Sequence, residues 1–102
     1  MNVMLVIDTS QTDTARVVLD YQGQRHERVS TSKAQKSQML LPVIELMLRE
    51  HSLTLGDITD IEVATGPGSF TGLRVGTAIA NALGYLLDIP VNGKKALVNP
   101  IY

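Results

Sequence analysis

The chain has 102 residues, 44% of them hydrophobic, a formal net charge of -1 and no cysteine. That size predicts one domain with a thin core, for which help from a partner is common. The near-neutral charge argues against a direct nucleic-acid binder, and the missing cysteines exclude disulfides and thiolate metal sites. One Phe, three Tyr and no Trp offer no aromatic platform for single-stranded nucleic acid. His26 and His51 lie far apart in sequence, without metal-ligand spacing. The N-terminal run has no basic flank and is broken by Asp8, so it does not read as a signal peptide. No apolar run approaches the roughly 20 residues that span a bilayer, so the cytoplasm is the expected compartment.

Val3-Met4-Leu5-Val6-Ile7 is a continuous apolar run and predicts a central strand buried on both faces. Asp8-Thr9-Ser10 follows as a polar turn whose short side chains can bond their own backbone. Thr14 to Tyr21 alternates and predicts a second strand. Gln22-Gly23 is a hairpin turn, and Gln24 to Ser30 is a polar edge strand whose charges discourage sheet-to-sheet association. Thr31-Ser32 offers an N-cap for a helix from about Lys33 to His51. Pro42 inside that helix predicts either a restart near Leu41 or a kink. The helix is apolar on more than one side, so one side can pack on the sheet while another needs a second cover. Gly56 marks a turn, and Asp60 to Ala64 is a strand in a βαβ relation to the first. Ser69 then caps a helix running to about Asp88. Ile89-Pro90-Val91 resumes extended chain, and Lys94 to Leu97 could begin another element. The order β-β-β-α-β-α-β predicts an α/β domain on a mixed sheet.

The stretch Ala64-Thr-Gly-Pro-Gly-Ser-Phe-Thr-Gly-Leu-Arg-Val-Gly76 carries two readings. A glycine turn before a helix N-terminus can hold an anion. That makes Asp8, Thr9, Ser10, Gly66, Gly68 and Ser69 candidate phosphate-binding residues. The match is loose: no Gly-Lys-Ser/Thr follows, Gly72 comes one residue too late for a dinucleotide fingerprint, and Pro67 lacks an N–H. The bland alternative is a tight turn that needs glycine for its backbone angles. The second reading concerns Gly72, Gly76, Ala80 and Gly84, small residues on one helical stripe. Glycine costs a helix about 1 kcal/mol against alanine, which close approach of another helix would offset. On that reading Val75, Ile79, Ala82, Leu83 and Leu86 face the sheet. The small stripe with Leu73, joined by Met39, Val43 and Met47 of the first helix, forms a candidate partner interface.

Catalytic candidates are sparse. Asp8 and Glu45 stand where a ribonuclease-H-like nuclease carries carboxylates, but Thr65-Gly66 occupies the end of the fourth strand, and a two-metal site needs more acids. Ser69 has no nearby histidine to activate it. No catalytic residue and no metal ligand is therefore assigned.

The thirteen-residue stretch closely resembles the signature of the bacterial TsaB (YeaZ) family of tRNA threonylcarbamoyladenosine biosynthesis proteins, relatives of the glycoprotease-like TsaD proteins. Ile7-Asp8-Thr9-Ser10, Leu40-Leu41-Pro42-Val43-Ile44 and Ile89-Pro90-Val91 also match, so the resemblance covers about residues 1–93. It implies a ribonuclease-H-like fold, the N-terminal lobe of the actin, Hsp70 and sugar-kinase superfamily, with a mixed five-stranded sheet and two long helices. It implies a single lobe over residues 1–102, with the family's second lobe absent. It further implies a non-catalytic partner that pairs through helices 33–51 and 69–88 with a TsaD-like subunit, which would carry the ATP and the metal. A homodimer when alone, a wider complex with a TsaE-like ATPase, and contact with tRNA only through that complex follow from the same resemblance. The catalytic relatives carry a His-x-x-x-His metal pair on the first helix; Gln35 to Met39 do not supply it. Lys36-Ser37-Gln38 replaces the His-Ser-Glu common in the family. The alternative class is an ATP-binding or phosphotransfer enzyme of the same superfamily.

Overall fold

The computed structural model describes residues 1–31 and 36–101, and in residues 36–38 the backbone only. Four strands form one sheet in the order β3-β2-β1-β4. Strand β1 (Val3–Asp8) pairs antiparallel with β2 (Ala15–Tyr21) and parallel with β4 (Asp60–Val63). Strand β3 (Gln24–Ser30) lies on the outer side of β2. Two helices, α1 (Lys36–Glu50) and α2 (Phe70–Leu87), complete the lobe.

The central strand shows how the layers form. Alternate side chains Val3, Leu5 and Ile7 are fully buried, while Met4 and Val6 between them are only half-buried. Burial on both faces was expected. Instead, Leu40, Ile44 and Leu48 of α1 and Ala80 and Leu83 of α2 join the Val3-Leu5-Ile7 row in one core. Both helices thus cover the same face of the sheet. The opposite face takes mixed apolar and charged rows such as Val6, Val18 and Glu27. The hairpin turn has positive φ at Gln22 and Gly23, the mirror-image geometry that matches strand twist. The charges of β3 are paired across the surface, Arg16 to Glu27 at 2.6 Å and Arg28 to Glu50 at 2.8 Å. Such exposed pairs add little stability and chiefly keep the edge polar.

The expected N-cap at Ser32 and the helix start at Lys33 lie outside the described residues. From Lys36 the helix runs without a break through Pro42, so the expected restart near Leu41 does not occur. Pro42 is exposed and lacks the N–H that would close its turn. Pro42→Ala should therefore raise the thermal midpoint by about 5 °C, for roughly 1 kcal/mol regained. An unchanged or lower midpoint in a calorimetric scan would contradict that account.

The sheet has four strands rather than the expected five. Val91 makes a single parallel bridge to Ile61, where a fifth strand would start. The Ile61 N–H donates to the Pro90 carbonyl at 3.0 Å, and the Asn92 N–H donates to the Ile61 carbonyl at 2.8 Å. Then Asn92 turns left-handed with φ 52, followed by Gly93 with φ 81, and the chain leaves the sheet. The next pair of backbone groups on β4 is met by the Asn92 side chain. Its Oδ1 accepts from Val63 N–H at 2.8 Å, and its Nδ2 donates to the Val63 carbonyl at 3.1 Å. A side-chain amide thus takes the place of one residue of strand. The expected element over Lys94 to Leu97 is irregular chain, which continues back along α2. There the Asn81 amide pairs reciprocally with the backbone of Val98, at 2.8 and 2.9 Å.

Candidate functional site

Two surfaces follow from the sequence candidates: the cluster at the ends of β1 and β4, and the faces of the two helices. The fold brings Asp8, Thr9 and Ser10 against Gly68, Ser69 and Gly72. Asp8 Oδ1 accepts from the Ser10 N–H at 3.0 Å and from the Ser10 hydroxyl at 2.6 Å, a local Asx turn. The Thr9 side chain is wholly buried, and its hydroxyl donates to the Gly72 carbonyl at 2.5 Å. The Ser69 N–H donates to the Ser10 carbonyl at 2.6 Å, and Ser69 Oγ accepts from the Gly72 N–H at 3.2 Å, capping α2. A Cβ on Gly68 would lie within 2.6 Å of the Ser10 carbonyl oxygen, so the residue must be small. Gly66 has φ 129 and no room toward the Ile101 backbone. The two loops therefore bond one another. The Thr9, Ser10 and Ser69 hydroxyls and the Ser10 and Ser69 amides of the expected anion cradle are engaged within the chain, beside a carboxylate that repels an anion.

Helix α2 sets the second surface, and here the small-residue reading is corrected. Gly72, Leu73, Gly76, Ala80 and Gly84 are buried inside this chain. A Cβ on Gly76 would run into Thr9 Oγ1 and come within 3.4 Å of Ile7, and one on Gly84 would meet Val91. The stripe lets the helix sit directly on β1 and on the Val91 segment. It is a helix-to-sheet contact and leaves no room there for a second helix. Met47 is buried as well, and Met39 and Val43 are half-buried along Ala15, Val17 and Ser30 of the hairpin. The stripe expected to face the sheet turns outward in part: Val75 and Ile79 are half-buried, Ala82 is exposed, and only Leu83 is buried. Leu86 is 79% exposed.

The outward arc of α2 is thus built from Phe70, Thr71, Arg74, Ala78, Ala82, Tyr85 and Leu86. Sequence reasoning missed most of these. Arg74 is the one charged side chain in the helix, and its guanidinium lies over the Phe70 ring at 5.4 Å. Phe70, Arg74, Val75, Ala78 and Ile79 line a shallow groove. A surface helix ordinarily carries charges on its outer face. The available signal was the near-absence of charge along residues 70–87, which bears on every face at once.

The two histidines, distant in sequence, are neighbours in the fold. The β2–β3 register sets His26 opposite Leu19, and the end of α1 brings His51 to a ring separation of 4.1 Å. The Tyr21 hydroxyl stands 3.1 Å from His51 Nδ1. Among the described residues no group of three or more His, Cys, Asp or Glu side chains is placed to hold a metal ion. Among the same residues no helix is long and apolar enough to cross a membrane.

The profile of the family described as TsaD, tRNA N6-adenosine threonylcarbamoyltransferase, matches residues 25–97. A Haemophilus influenzae protein named tRNA threonylcarbamoyladenosine biosynthesis protein TsaB is 35% identical over 88 residues, which cover 86% of this chain and 37% of that protein. The Bacillus subtilis protein of the same name is 32% identical over 94 residues, covering 92% of this chain and 41% of that protein. The solved structure of YeaZ from Pseudomonas aeruginosa superposes with a TM-score of 0.83 at 30% identity, over 89% of this chain and 42% of the other. The chain spans less than half the length of each of these relatives.

Proposed function

This chain belongs to the TsaB (YeaZ) family, within the wider group that the TsaD profile describes, and we propose that it serves as a non-catalytic partner in the threonylcarbamoylation of tRNA adenosine. The catalytic subunit would be TsaD-like and would hold the ATP and the metal. This lobe pairs with it through the outward faces of α1 and α2, and self-associates through the same surface when alone. A TsaE-like ATPase joins the wider assembly, and tRNA is met through the complex, in the cytoplasm. The single observation that supports the pairing is the outward arc of α2, uncharged except for Arg74, largely apolar, and open to solvent along the whole helix. Leu46 adds an exposed apolar residue on α1. The buried glycine stripe plays no direct part; it seats α2 so that this arc faces out.

Ala78→Arg tests the pairing. Ala78 is exposed, so the change should leave the thermal midpoint within a degree or two. Burying that charge against an apolar partner should weaken pairing with a TsaD-like subunit by about tenfold or more. Calorimetric titration reads the affinity, and size-exclusion chromatography reads self-association. Unchanged pairing by Ala78→Arg would remove this face from the interface. The modified-nucleoside content of tRNA, in cells relying on this chain, reports whether pairing supports the modification.

A further inference from the structure

We propose that the Asn92-Gly93 peptide is a site of spontaneous deamidation, held closed by the edge of β4 and opening that edge once it has reacted. The dipeptide sits at the tip of a tight two-residue turn, with Val91 and Lys94 bonded across it in both directions at 2.9 and 3.1 Å. Both residues are exposed, and Gly93 has open space where a side chain would be. Glycine after asparagine leaves the following backbone nitrogen unshielded, which is the condition for its attack on the side-chain amide.

The reaction needs only water. The Gly93 backbone nitrogen gives up its proton and bonds to Asn92 Cγ. The Cγ–Nδ2 bond breaks, and the amide nitrogen leaves as ammonia. Water then adds to either carbonyl of the five-membered imide and opens it to aspartate or to isoaspartate. Nothing is oxidised or reduced.

In the folded chain that attack is opposed by the bonds that end the sheet. Asn92 Oδ1 and Nδ2 are both held on the Val63 backbone, and the Asn92 N–H is held on Ile61. The side-chain amide must leave β4 before Cγ can meet the Gly93 nitrogen. The reaction rate therefore reports the fraction of time this edge is open. The products can still accept from the Val63 N–H but cannot restore both bonds at once. A carboxylate has no N–H to donate to the Val63 carbonyl and sets acceptor against acceptor there. Isoaspartate also lengthens the backbone within a turn that holds only two residues. Val91 is buried beside Gly84, so loosening this segment also loosens the end of α2.

The test uses the 102-residue chain aged in mildly alkaline buffer, with peptide mapping by mass spectrometry and an isoaspartate-specific methylation assay. A free peptide of residues 88–98 is aged in parallel. The folded chain should deamidate about tenfold or more slowly than the peptide. In the deamidated fraction the Val63 amide should exchange its hydrogen about tenfold faster than in fresh protein, and Asn92→Asp should reproduce the increase. Equal rates in chain and peptide, or no reaction in either, would overturn the proposal. So would unchanged exchange at Val63 after reaction.

Discussion

Gly76→Ala should melt about 10 °C below the parent chain, and Gly76→Leu should fail to fold cooperatively. Helix propensity predicts the opposite sign, since alanine at an interior position is favoured over glycine by about 1 kcal/mol. The packing decides against it. The new methyl would meet the Thr9 hydroxyl, just past the end of β1, and the Ile7 side chain on it, and both side chains are wholly buried. Because the methyl would run directly into Thr9 Oγ1, the overpacking cost lies at the upper end of the usual range, about 3 kcal/mol, and outweighs the propensity gain. For a chain of this length a net loss of roughly 2 kcal/mol corresponds to the stated shift. Leucine adds a volume that neither β1 nor α2 can move to admit, against a total stability of about 5–15 kcal/mol. The control is Ala78→Leu, on the exposed side of the same helix. It should leave the melting curve nearly unchanged. Circular dichroism melts of the three variants make the comparison. A Gly76→Ala chain as stable as the parent would mean that the stripe is not seated on β1.

Thr9→Val should lower stability by about 2 kcal/mol while leaving phosphate affinity unmoved. The substitution keeps shape and removes a hydroxyl whose hydrogen bond to the Gly72 carbonyl joins β1 to the first turn of α2. The carbonyl would then lose its side-chain partner in a site closed to solvent at Thr9. Leaving such a group short of a partner costs about 1–3 kcal/mol. Thr9→Ser keeps the donor and should recover most of the loss. Denaturant titration of the two variants reads the difference as a shift in midpoint at constant slope. The same pair bears on the anion reading of this loop. If the hydroxyl held phosphate, Thr9→Val would abolish stabilisation by added phosphate without the accompanying loss of fold stability.

Several elements were legible from residue pattern alone. The apolar run of β1, the alternation of β2, the Gln22-Gly23 turn and the Ser69 cap all stand at or within a residue of their expected places. Each is a local property: period, turn chemistry or a cap bond is contained within a few neighbouring residues. That the expected fifth strand stops at a single bridge was not legible. Ile89-Pro90-Val91 has the composition of a strand, but whether it continues depends on Asn92. The Asn92 side chain folds onto Val63, 29 residues earlier. Nothing local to Asn92 announces that contact.

The same division governs the candidate site. From the sequence by itself came the α/β class, the two long helices, the family signature and the fact that α2 carries small residues on one stripe and apolar residues on the next. Which stripe meets the sheet was decided only by tertiary structure. Both stripes are compatible with burial, because an apolar side chain gains by leaving water whichever surface covers it. The choice rests on the height of the sheet beneath. Ile7 rises from β1, Thr9 from the turn just after it, and Val91 beside β4, so the helix backbone can come down only where it bears hydrogen or a methyl group. The glycines therefore go inward, and Arg74, Ala78, Tyr85 and Leu86 go outward. A helical period states which residues share a face; it does not state what that face is set against.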